Sequence, residues 1–162
     1  MSYDVIKIVH ALAAVAATGP LLFAPWLSAR LVRCQAENKA LLLSGLAASD
    51  RFYNIAGWAL MLSGIALFWL QDWHRVFQLW FILSVVIFIV DSAAEKRWRD
   101  PANEVLAQLQ PGEPGWAENT VRLHKAVIAQ MICTSLILVI MLLHSQLQIN
   151  VLNLAPWAHG LG

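Results

Sequence analysis

Residues 5–27 read VIKIVHALAAVAATGPLLFAPWL. The stretch holds one lysine and one histidine and no other ionisable group. About 20 mostly apolar residues cross the hydrocarbon of a bilayer, so it reads as a spanning helix. It is too long for the apolar region of a cleavable signal, and it runs into basic residues rather than a small-residue cleavage site. Its middle is Ala-rich (Ala11, Ala13, Ala14, Ala16, Ala17). Small side chains let helix backbones approach closely in lipid, which predicts a helix inside a bundle. Pro20 should bend it.

Working outward, three more apolar segments follow, giving spans of about 5–27, 52–70, 76–92 and 124–144. The apolar run 39–49 ahead of the second reads as an interfacial helix or an extension of that span. The third continues as a helix through Asp91, Glu95 and Arg97. Residues 110–116, with Pro111-Gly112 and Pro114-Gly115, form the clearest turn. Residues 145–162 lack Lys, Arg, Asp and Glu and read as an uncharged tail along the membrane surface. The expected fold is therefore a single all-α membrane domain over 1–162, a four-helix transmembrane bundle.

Composition agrees. Charged residues are 13% of the 162 and mean hydropathy is +0.61, whereas soluble domains carry roughly a quarter charged residues. Formal net charge is +1; the basic residues gather at helix ends, where anionic headgroups account for them, and no nucleic-acid partner is expected. Cys34 and Cys133 lie at different depths, so no disulfide is expected.

Loop charge gives orientation. Of eleven Lys and Arg, nine (Arg30, Arg33, Lys39, Arg51, Lys96, Arg97, Arg99, Arg122, Lys125) fall between spans one and two or three and four. Short basic loops stay cytoplasmic, so both termini should be periplasmic, in a bacterial inner membrane. Trp69, Trp73, Trp80 and Trp157 then form an outer aromatic belt.

Four of five histidines (His10, His74, His144, His159) share the outer side with Lys7 and Arg75. An imidazole inside an Ala/Val/Leu span needs a partner, and intramembrane ionisable groups are functional candidates. His10 and His144 are candidate ligands for haem b, with Lys7 one turn from His10 available to a propionate. A site for copper formed by His10, His74 and His144 is the alternative. On the inner side Arg51, Asp91, Glu95 and Lys125, with Arg122 and His124 nearby, form a charge cluster read as helix-end salt bridges or a proton entry. Gln130, Cys133 and Thr134 make a polar stripe in the fourth span.

Lys7-x-x-His10, then Gly19, Leu22, Phe23 and Pro25 with basic residues following, resembles the opening helix of small bacterial membrane proteins allied to the copper-resistance D-type proteins and the membrane protoporphyrinogen oxidase. Asp50 through Gly57 to Gly64 is compatible with their second helix. The resemblance covers about the first 70 residues and implies haem or metal binding at His10. Thr18 stands where a Trp commonly precedes the Gly, Trp26 replaces an Arg, and no lysine falls within the third span. These departures place the chain nearer the uncharacterised relatives. The reading is haem b or copper binding for electron transfer or haem and porphyrin handling. Alternatives are a small-molecule or metal-ion transporter, or a non-catalytic subunit of a homo-oligomer or larger membrane complex.

Overall fold

The fold is that of a computed structural model in which residues 2–70 and 73–151 are described, the side chains of Ser2 and His74 excepted. It is helical throughout: α1 Ser2–Val32, α2 Ala36–Leu70, a 3-10 turn Trp73–Phe77, α3 Leu79–Ala94, a π-helical turn Glu95–Arg99, α4 Asp100–Gln108 and α5 Trp116–Leu142. Among the described residues three helices are long and apolar enough to cross a membrane: α1, α2 and α5. α3 has 16 residues, about 24 Å at 1.5 Å per residue, less than the ~30 Å hydrocarbon thickness.

α1 runs unbroken through Pro20 and Pro25. Its buried positions, Ala13, Ala17, Pro20, Leu21, Ala24, Ser28 and Leu31, follow a three-to-four-residue spacing and form one stripe. Most are small, which lets α2 and α5 pack closely along this stripe. Of the five central alanines only Ala13 and Ala17 are buried, and the opposite face of α1, with Leu12, Val15 and Leu22, is exposed, so α1 is not enclosed by the bundle as its alanine content suggests. The chain reverses tightly at 33–35, where the Arg33 and Cys34 amides still donate to Arg30 and Leu31 carbonyls at 3.1 and 3.3 Å. α2 then continues without a break from Ala36, so the apolar run 39–49 is an extension of the second span. Unbroken helices of 31 and 35 residues are about 46 and 52 Å long. Both therefore extend well beyond the hydrocarbon, and the reversal puts the overhang at the end rich in Lys and Arg.

That end holds the densest core. Ala24, Leu31, Leu46, Ala102, Leu106, Trp116, Leu123 and Val127 pack together there, drawn from α1, α2, α4 and α5. Between α4 and α5, Gly112 and Gly115 take φ of +93° and +90°, a left-handed backbone that glycine enters without a Cβ penalty. Lys39 reaches across to close this corner. Its Nζ donates to the Ala107 and Leu109 carbonyls at 3.1 and 2.7 Å, satisfying acceptors that the end of α4 leaves open. At the opposite end aromatic rings join α2 to α3: Phe68 meets Phe81 edge-on at 4.8 Å and stacks near Trp80 and Trp73. Residues 145–151 turn back on the start of α3, with the Leu79 amide donating to the Ile149 carbonyl at 2.9 Å. The remainder of the tail, with Trp157 and His159, lies outside the described residues.

Large apolar side chains such as Leu22, Trp69 and Leu142 are exposed along the spans, the distribution a lipid solvent allows. Ala17 is 2% exposed and Val15 68% exposed. Ala17→Leu should therefore destabilise the folded protein by roughly 1–3 kcal/mol through overpacking. Val15→Leu, on the open face, should leave it unchanged. Thermal melts of the two variants in one detergent check this.

Candidate functional site

His10 lies on α1 facing α2. Its Nδ1 is 2.9 Å from Ser63 Oγ, and Ser63 Oγ is itself 2.6 Å from the Ala59 carbonyl and 3.1 Å from that of Leu60. A carbonyl can only accept, and a hydroxyl has one proton to give. The 2.6 Å contact needs that proton, so Ser63 accepts from His10. The network thereby assigns the Nδ1–H tautomer and leaves Nε2 with its lone pair. Gly64 follows Ser63 on α2; a Cβ built there would stand 3.5 Å from His10 Cε1, so the absent side chain leaves room beside the ring.

The other outer candidates are separate. Lys7 is exposed. His144 is exposed at the end of α5, donating Nδ1–H to the Met141 carbonyl at 2.9 Å and meeting Trp80 edge-on at 6.2 Å. Among the described residues no hydrogen bond or ring contact joins His10 to His144, and no three His, Cys, Asp or Glu side chains converge as a metal site. His74 belongs to the 3-10 turn, with its side chain outside the description.

The inner charges assemble around a residue that the sequence reading counted only as loop charge. Arg99 is 3% exposed. Its Nη2 lies 2.7 Å from Asp50 Oδ1 on α2 and 3.2 Å from Glu95 Oε1 one turn earlier. Its Nη1 donates to Gln130 Oε1 on α5. Asp91, 6% exposed, shares this face of the helix at spacings of four and eight. The expected partners of Asp91 and Glu95 are corrected here: Arg51 and Lys125 are exposed, and Arg122 Nη2 donates instead to the Arg97 carbonyl at 3.0 Å. The reason is covalent. Pro101 has no N–H to offer that carbonyl, and Arg122 supplies the missing donor. The i, i+4, i+8 series Asp91-Glu95-Arg99 was the signal in the sequence, and its last two members lay past the end assigned to the span.

Between the two ends, Tyr53 Oη and Thr134 Oγ1 are 2.7 Å apart and tie α2 to α5. Thus Gln130 and Thr134 of the polar stripe do make interhelical hydrogen bonds. Ser28 Oγ is 2.8 Å from His124 Nδ1 and 3.0 Å from the Pro25 carbonyl, so His124 serves an α1–α5 contact, away from the Arg99 centre.

Residues 4–98, more than half of the chain and including both His10 and the Asp91–Glu95 turn, match a family described as predicted integral membrane proteins, DUF2269. The chain belongs to this family. The DUF2269 description names a membrane protein and carries no copper-resistance or oxidase activity. No curated protein and no solved structure matches this DUF2269 member.

Arginine cannot be replaced at a forked site by a point charge without losing donors. Arg99→Lys should cost about 1.5–3 kcal/mol, the range for hydrogen bonds to charged groups. Arg51→Lys, on the exposed face, should be neutral. Chemical unfolding of both proteins in mixed micelles reads the difference.

Proposed function

We propose that this protein uses His10 as an imidazole ligand for haem b, with copper as the alternative, near the periplasmic face of a bacterial inner membrane. The Ser63 hydrogen bond is the observation that carries the reading. Ligating histidines characteristically donate their other ring N–H to a protein acceptor, which fixes orientation and raises basicity; His10 has this arrangement through Nδ1, which leaves Nε2 as the nitrogen to ligate. The chain's own contribution among the described residues is one oriented nitrogen, which fits an axial position on haem iron or one corner of a copper site. His144, His74 or a second copy of the chain would supply the remaining ligand, and Lys7 would meet a propionate. The bound group would supply one-electron transfer or carry porphyrin.

This reading includes four crossings, with α3 lengthened by the 3-10 turn before it and the π turn after it, and with both termini outside. The clustering of Lys and Arg at the end of the densely packed core supports that orientation. A second reading, passage of a proton or small ion, is favoured by the Arg99 centre. Buried ionisable groups inside a bundle mark pathways, and Asp91 is buried with no ion pair of its own among the described residues.

A reduced-minus-oxidised spectrum of protein purified after expression with ample haem tests the first reading. Haem b bands are expected, absent in His10→Ala and weakened in Ser63→Ala, where loss of the orienting partner should cost on the order of 10–100-fold in affinity. A colourless protein that also carries no copper would overturn it. Ion uptake into proteoliposomes, abolished in Asp91→Asn, would then favour the second.

A further inference from the structure

Beside the Arg99 centre, α1, α2 and α5 line a small, partly open cavity of about 10 Å³, bordered by Leu21, Ala24 and Pro25, by Ser49 and Asp50, and by Gln130 among others. Two polar atoms of these lining residues, Ser49 Oγ and Gln130 Nε2, are buried without a hydrogen-bond partner among the described residues. Gln130 is 9% exposed. Its amide orientation is not free to reverse: arginine has donors only, so the Gln130 atom facing Arg99 must be the oxygen, as observed. Nε2 and its protons are therefore forced away from the guanidinium. On the α1 side, Pro25 has no N–H to pair with the Leu21 carbonyl, and Leu21 and Pro25 both line the cavity.

We infer that this cavity is a binding site for one water molecule, held by Gln130 Nε2, Ser49 Oγ, the Asp50 carboxylate and the Leu21 carbonyl. The volume is about that of a single water-sized sphere, and two to four polar partners are what a buried water requires. The donor set selects the ligand. A metal cation would face the Gln130 amide protons with the guanidinium behind them. An anion would face the Asp50 carboxylate and a carbonyl. Water alone accepts from the amide while donating to the carboxylate or carbonyl. It also explains how α1 carries Pro25 unbroken inside a bundle, since ordered water is one of the partners that re-satisfies backbone groups freed by proline. The site joins α1 to a centre that otherwise ties only α2, the π turn and α5.

The test is rotating-frame NMR of the full chain in detergent micelles with side-chain amides labelled, Gln130→Met assigning the resonance. A direct cross-peak between the Gln130 amide protons and water is expected. It should vanish in Ala24→Val or, if that protein fails to fold, in Ser49→Val, each of which fills the cavity from a different helix. A folded wild-type protein whose Gln130 amide shows no contact with water overturns the proposal. So does a cross-peak that survives unchanged in a folded cavity-filled variant.

Discussion

A guanidinium buried in a bundle must find acceptors for its donors, and Arg99 finds them on three segments at once. Asp50 lies on α2, Glu95 at the start of the π turn and Gln130 on α5. Leaving one charge without its partner in such a place costs several kcal/mol, so these segments cannot separate independently. Arg99 closes a π turn. There the Asp100 amide reaches back to the Glu95 carbonyl, a five-residue step that takes in an extra residue. Pro101, at the start of α4, interrupts the ladder by one donor, and the Arg97 carbonyl accepts from Arg122 instead.

The molecule divides by solvent along its length. At the basic end Leu31, Leu106, Leu123 and Trp116 are buried as in a water-soluble core, because two long helices overhang there and α4 folds back to cover them. Toward the other end burial retreats to small residues, Ala13 and Ala17 on α1, Ala56 and Ser63 on α2 and Ser84 on α3, and large apolar side chains face outward. Hydrophobic burial cannot hold helices together in lipid; close packing of small residues and interhelical hydrogen bonds do so instead. His10–Ser63 and Tyr53–Thr134 are those hydrogen bonds. The His10 pair therefore stabilises the α1–α2 contact whether or not Nε2 carries a ligand.

Apolar run length and the Ala stripe made α1, α2 and α5 legible, and the Pro-Gly pairs made the 110–116 turn legible. Whether 39–49 was a separate helix was not, since a continuous helix and an interfacial one share the same periodicity. The role of Ser63 was hidden for a similar reason. A serine inside a span commonly bonds its own helix, as Ser63 does through Ala59, and only the fold brings His10 to its other lone pair. Arg99 was missed because loop charge was read as solvated charge. Its spacing from Asp91 and Glu95 marks a helix face, but which of Arg51, Arg99 and Arg122 fills the interior depends on tertiary placement. The uncharged tail and its histidine stay a sequence expectation.

The measurement that bears most directly on this account is a double-mutant cycle between Arg99 and Asp50, using Arg99→Met, Asp50→Asn and the double variant, with unfolding free energies measured in one micelle composition. If the buried centre joins α2 to the segment after α3, the two sites should couple strongly, by more than about 1.5 kcal/mol as close desolvated charge pairs do. Additive effects within ~0.5 kcal/mol, the behaviour of independent sites, would contradict it.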